Sequence, residues 1–134
     1  MRVNEGDDIE IGGVWLCVLH TPGHASDMMT LALQDAVFTA DTLLIGGTGR
    51  TDLRKDASAG EEYDSIFQKI LPLGDDMAVY PGHDYSGRVA STIGDEKRTN
   101  PRLAMSREEF VRLLEAHHPP LPELLEESVR KNSE

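Results

Sequence analysis

"DMMTLALQDAVFTAD", Asp27 to Asp41, is the stretch on which the fold turns. Two largely apolar runs flank the polar pair Gln34-Asp35, a pattern that predicts a β-hairpin closed by a two-residue turn. With Leu33 facing Ala36, the register sets Asp41 opposite Met28. That is the sheet end reached by the preceding "HTPGHASD" (20–27), which carries His24. Further on, "MAVYPGHDY" (77–85) reads as a short buried strand stopping at Pro81-Gly82, delivering His83 to the same edge. Two histidines and one carboxylate at one edge make a candidate metal site. Imidazole nitrogen with carboxylate oxygen suits zinc, iron or manganese, and the lack of thiolates argues against a structural zinc cluster. Spacing alone leaves open that these histidines only satisfy local hydrogen bonds.

Upstream of the hairpin, "DDIEIGGVWLCVLH" alternates, turns at Gly12-Gly13, and then runs apolar from Val14 to Leu19, predicting a first hairpin with a well-buried second strand. Downstream, "GGTGRTDLRKD" (46–56) reads as a glycine-rich loop. It is not a phosphate loop, because it lacks the Gly-Lys-Ser/Thr ending. Ser58 and Glu61 form a capping box ahead of Tyr63, Ile66, Phe67, Ile70 and Leu71 at helical spacing. Pro72 and Gly74 stop that helix. A second helix is expected over about 88–98, its Asp95–Arg98 face solvated, and a third after the Ser106/Glu109 capping box. The order of strands, helix, strand and helices predicts a small α/β layer structure. Residues 1–118 would form the domain and 119–134 a short helical tail.

With 134 residues, 39% of them hydrophobic, the chain can bury a sizeable core. A net charge of −11 disfavours a nucleic-acid partner, and no apolar run is long enough to cross a bilayer. The single cysteine, Cys17, excludes an internal disulfide and fits a reducing, cytoplasmic setting, most simply as a core thiol. Nearly half of the 13 basic residues fall within 87–112: Arg88, Lys97, Arg98, Arg102, Arg107 and Arg112. Such a segment would suit a small anionic substrate, or simply a salt-bridged helix surface. His20 reads as a locally bonded strand-end residue, and His117-His118 as a solvated helix end.

"HTPGH", "FTADTLLIGGTGRTD", "VYPGHDYSGR", "STIGDEKRTNPRL" and "SREEFVRLL" together resemble the metallo-β-lactamase fold, and within it the persulfide dioxygenase branch, a relative of glyoxalase II. The resemblance runs in order over about residues 5–115. It implies the C-terminal half of an αββα sandwich: one mostly antiparallel sheet with helices on one face. It also implies that His24 and Asp41 are metal ligands, and that His83 completes a second metal position in dinuclear relatives. By the same resemblance Tyr85 would contact glutathione, and Arg50 would touch substrate or brace its loop. The implied cofactor is Fe(II), held by two histidines and one carboxylate, with zinc as the alternative. The implied reaction oxidises glutathione persulfide to sulfite and glutathione.

The family's His-x-His-x-Asp-His motif has no counterpart among histidines 20, 24, 83, 117 and 118. One metal histidine and one of the two sheets are therefore expected from elsewhere. An apolar face including Val14, Leu16, Val18, Leu31 and Val37 would then lack its cover, implying a homodimer or a complementary N-terminal half. Ala40 stands where the family usually has glycine. Three readings follow: an Fe(II) persulfide dioxygenase or its C-terminal half, a glyoxalase-II-like thioester hydrolase with a dinuclear site, or a non-catalytic interaction module.

Overall fold

The computed structural model describes residues 6–82 and 89–116. Strand β1 (Asp8–Ile11) turns through Gly12 and Gly13, both at positive φ (57° and 84°), into β2 (Val14–His20). Left-handed backbone at both central positions is what a type I′ hairpin turn requires, and glycine supplies it without steric cost. Strands β3 (Met29–Ala32) and β4 (Ala36–Ala40) follow as the second hairpin, with Leu31 opposite Phe38 and Ala32 opposite Val37. The Leu33 amide donates to the Ala36 carbonyl at 2.7 Å, as the two-residue turn demands. The register is the expected one, but the ladder stops before Asp41. A bulge between Phe38 and Ala40 bends β4 out of line, and Ala40 sits at φ 47°.

Beyond the bend, β5 (Leu43–Leu44) and β6 (Gly47–Thr48) pair as a small separate ribbon, so part of the expected glycine-rich loop is strand. Helix α1 (Ala59–Ser65) continues through a π-helical turn (Ile66–Ile70) and a 3-10 turn (Leu71–Leu73). Strand β7 (Ala78–Pro81) lies parallel to β4, and β8 (Ser91–Thr92) pairs antiparallel with β7. Helices α2 (Ile93–Thr99) and α3 (Arg107–Ala116), joined by a 3-10 turn (Pro101–Ala104), complete the described chain. The main sheet runs β1-β2-β3-β4-β7-β8 and is antiparallel except at β4–β7.

The core lies on one side of this sheet. Ala32, Val37 and Val79 pack with Ile66, Ile70, Leu71, Ile93 and Leu103, while a smaller cluster of Ala59, Phe110 and Leu114 joins α1 to α3. Cys17 packs against the larger cluster and is half-buried. The structure corrects the expected open face at two positions: Val18, paired with Leu31, has no exposed surface, and Val37 lies on the core side. Val37 lies across from Ala32 and is fully buried on the helix side, whereas Leu31 is paired with Phe38 on the other side. On that other side Ile11, Val14, Phe38 and Tyr80 are exposed by 62%, 47%, 43% and 39%, with Phe38 stacked on Tyr80. Strand β2 is consequently less buried than its apolar run suggests, only Val18 being fully enclosed. Strand β7 likewise buries Val79 and exposes Tyr80.

Two helix starts teach different lessons. Ser106 and Glu109 form the full capping box, each side chain accepting from the other's amide at 3.2 Å. Helix α2 begins at Ile93 rather than near 88, because Ser91 and Thr92 pair with β7 and Thr92 caps the helix by accepting from the Asp95 amide. The tail at 119–134, with His117 and His118, falls outside the described residues, as do His83, Tyr85 and Arg88.

Candidate metal centre

His24 sits in the turn between β2 and β3, and Asp41 just beyond the bend of β4. The His24 Nε2 and an Asp41 carboxylate oxygen are 3.7 Å apart, both side chains being less than a third exposed. His24 Nδ1 lies 2.7 Å from the Arg50 carbonyl oxygen. A carbonyl only accepts, so Nδ1 donates to it and Nε2 is the ring nitrogen turned toward Asp41. Two donors bound to one ion at about 2.1 Å each stand about 3.0–3.4 Å apart, close to this separation. A histidine whose far nitrogen is fixed by a carbonyl, paired with a carboxylate, therefore fits two positions of a histidine–carboxylate metal set. Among the described residues no third His, Cys, Asp or Glu joins them. The backbone leading to His83 does come close: a Cβ on Gly82 would stand 3.1 Å from Asp41 Oδ1, and the Gly82 amide donates to the Ala40 carbonyl at 2.7 Å.

Arg50 is bound to the site by its main chain. Its guanidinium makes a two-pronged pair with Asp52 at 2.9 and 2.8 Å. His20 Nε2 donates to the Ser26 carbonyl at 2.6 Å, the local bond expected of it. The loop is clasped again where Asp56 accepts from the amide and hydroxyl of Ser26 and from Arg54. Those donors hold the Asp56 carboxyl far below the usual carboxylate range.

Among the described residues, the basic side chains of this segment do not form an open cationic rim. Lys97 pairs with Asp75, Arg98 with Asp95, Arg107 with Asp64 and Arg112 with Glu108. Arg102 turns inward and donates to the carbonyl and hydroxyl of Thr48 at 3.1 and 2.8 Å.

Sequence reasoning missed the residues behind the site. Thr21, Thr30, Thr39 and Thr42 are fully buried at the strand ends. The Thr21 and Thr30 hydroxyls meet at 2.9 Å, and Thr39 donates to the Leu43 carbonyl at 2.7 Å. Glu96, expected on a solvated face, has no exposed surface. It accepts from the Gly46 amide (2.8 Å), the Ser91 hydroxyl (2.6 Å) and Asn100 Nδ2 (3.1 Å). Asn100 Nδ2 also reaches the Gly47 carbonyl at 3.0 Å. Together these groups lock the β5–β6 ribbon, whose two ends lead to Asp41 and to Arg50. The one sequence clue was that i,i+4 pairing of Glu96 with Asn100 in "GDEKRTNPRL" puts both on one helix edge.

Glu62 is the second buried acid. It has no exposed surface, and neither carboxyl oxygen has a hydrogen-bond partner among the described residues. Burial pushes its carboxyl well above the usual range, opposed by the positive charge of Arg102 and the nearby Thr48. Burial in turn lowers the Arg102 guanidinium, offset by Glu62.

Residues 2–83 match the model of the Metallo-beta-lactamase superfamily, and the chain belongs to that superfamily. Within it, the chain is 38% identical to the human mitochondrial persulfide dioxygenase ETHE1, over 98% of its own length and 52% of the relative's. It is 34% identical to a hydroxyacylglutathione hydrolase from Rhodopseudomonas palustris, over 98% of its length and 51% of that protein. It superposes on the crystal structure of ETHE1 from Myxococcus xanthus with a TM-score of 0.88 and 43% identity, covering 98% of this chain and 58% of the other. A solved structure of TTHA1623 in a di-iron-bound form follows at TM-score 0.63 and 32% identity, covering 75% of this chain and 47% of that one. The chain thus spans about half the length of the curated relatives it matches.

Proposed function

We propose that this chain carries one side of a persulfide dioxygenase site, taking Fe(II) and a glutathione persulfide or a closely related thiol persulfide. The observation that carries the reading is the His24–Asp41 pair with His24 Nδ1 tied to the Arg50 carbonyl. It is supported by similarity to the human persulfide dioxygenase ETHE1, to the solved ETHE1 of Myxococcus xanthus, and to a more distant relative solved in a di-iron-bound form. His24 and Asp41 would hold the metal, with a histidine from the complementary half of the fold as the third ligand. Fe(II) bound there supplies the redox chemistry that lets O2 react at a persulfide sulfur.

The chain's own groups do the rest. The Arg50 carbonyl would hold the Nδ1 proton and so orient the ring with Nε2 toward Asp41. The Arg50–Asp52 fork stiffens the loop that supplies that carbonyl. By the family resemblance His83 and Tyr85 would contribute to the pocket, and Gly82, which precedes them in the chain, lies against Asp41. Overall, a persulfide, O2 and water give a thiol, sulfite and two protons, which balances in atoms and charge. The exposed apolar face with Ile11, Val14, Phe38 and Tyr80 would be covered by the complementary half, and a homodimer through it is the competing arrangement.

The test is O2 consumption with glutathione persulfide after Fe(II) loading, on the chain joined to the N-terminal half of the Myxococcus xanthus relative. Persulfide-dependent uptake with sulfite formed supports the assignment. Thioester hydrolysis without O2 uptake would favour a dinuclear hydrolase using His83 as a ligand, a reading prompted by the hydrolase relative and by Gly82 against Asp41. Neither activity in a folded, metal-loaded protein would leave an interaction module.

A further inference from the structure

We propose that Glu62 is a positioning residue for His24, a strut from helix α1 that sets the spacing between the His24 turn and the Arg50 loop. The inference rests on His24 being the metal histidine only for its functional meaning. The geometry stands without a metal.

Helix α1 is fastened to the His24 turn at several points. The Ser58 amide donates to the Gly23 carbonyl at 2.7 Å, and the Ser65 hydroxyl to the Pro22 carbonyl at 2.7 Å. A Cβ at Gly23 would collide with the Cα and Cβ of Glu62 and stand 2.7 Å from its amide nitrogen, so helix backbone and turn are in direct contact. From that contact the Glu62 side chain reaches the opposite loop. Its Oε1 would be 3.0 Å from a Cβ at Gly49, the residue before Arg50. One side chain therefore spans from the residue before His24 to the residue before the group that accepts the His24 proton. Its far end is bounded by Thr48, which Arg102 holds from behind.

The chemistry of this group also needs explaining. A buried carboxyl with no well-formed hydrogen bond is costly even beside Thr48 and the Arg102 charge, and an aliphatic side chain would fill most of the same volume without that cost. What an aliphatic chain of similar branching lacks is an atom at the carboxyl oxygen's position, the part of the side chain that lies beside the Thr48–Gly49 segment. Length at that point decides how near the Arg50 carbonyl stands to Nδ1.

The experiment reads the His24 ring nitrogens by 15N NMR on the metal-free chain, comparing Glu62→Gln, Glu62→Leu and Glu62→Ala. The wild type and Glu62→Gln, which keeps the full length, should show a protonated Nδ1 that exchanges slowly with solvent. Glu62→Leu and Glu62→Ala should show Nδ1 exchange faster by about tenfold or more and a rising share of the Nε2-protonated ring. If Glu62→Ala does not fold, Glu62→Leu decides. A folded Glu62→Leu with unchanged Nδ1 protection, or a Glu62→Gln that loses it, overturns the proposal. A fall in melting temperature with His24 unchanged does the same, since that marks a packing role alone. Because no metal is present, failure of the chain to bind iron would leave this result standing.

Discussion

Glu62 and Glu96 are both helical acids without exposed surface, and both back the loops that carry the candidate metal site. Glu96 receives three donors, one each from the ribbon, β8 and the end of α2. Glu62 receives no well-formed hydrogen bond among the described residues, with the Thr48 side chain near enough to stabilise its charge. The comparison teaches that burial alone says nothing of a carboxyl's worth. Where donors converge, the acid holds separate segments together. Where they do not, the acid remains as a cost that the rest of the fold must carry. The Asp41 side is thereby built for stability, and the His24 side tolerates a penalty to keep its spacing.

The largest effect should come from Glu96→Ala. It strands the Gly46 amide, the Ser91 hydroxyl and the Asn100 amide, and it opens a cavity. We expect a loss of about 3–5 kcal/mol by chemical denaturation. A loss under about 1 kcal/mol would mean the network is dispensable and the comparison false.

Next is Glu62→Leu, with the opposite sign: a gain of about 1–2 kcal/mol at pH 8. The pH dependence sharpens it. The folded-state pKa is raised from 4.5, so the wild-type stability linked to Glu62 is fully present below pH 4.5. It is lost as pH rises through the folded value, by at most about 1.4 kcal/mol per pH unit. Denaturation from pH 4 to 9 should show that decline in the wild type and a flatter profile in the variant. Equal slopes would contradict a neutral Glu62.

Arg102→Met should cost about 1–2 kcal/mol, through the two lost bonds to Thr48. In the Glu62→Leu background the cost should be smaller, as a double-mutant cycle can measure, because Arg102 no longer offsets a buried acid. The smallest effect lies between the two regions. Ala40 at φ 47° is strained by about 1–2 kcal/mol. Glycine relieves that but adds about 0.4–1 kcal/mol of unfolded-state entropy. Ala40→Gly should therefore stabilise by about 0.5–1 kcal/mol in thermal melts, and a destabilisation would show the strain to be absent.

Much of this was legible in the chain itself. The Gln34-Asp35 turn sets the register that brings Asp41 to the His24 end, and the Ser106/Glu109 box starts α3 where it should. Apolarity alone does not give the side of Val37; register does, since the turn that pairs Leu33 with Ala36 also pairs Ala32 with Val37. The start of α2 is less legible because Thr92 and Asp95 form a quieter cap than Ser106 and Glu109 do. The two buried acids were out of reach. Each sits in a run of charged residues, "GEEYD" and "GDEKR", that reads as solvent-facing. Only tertiary contacts from distant segments, with Gly23 and Gly49 for one acid and Gly46 and Ser91 for the other, take them out of water.

Anaerobic Fe(II) titration of the wild type, His24→Ala and Asp41→Ala tests the metal site most directly. Wild-type binding, expected to be weak through the proposed ligands His24 and Asp41, should fall by about tenfold or more in each variant, while both stay folded. Iron bound equally well by all three folded proteins would place the metal elsewhere and contradict the account.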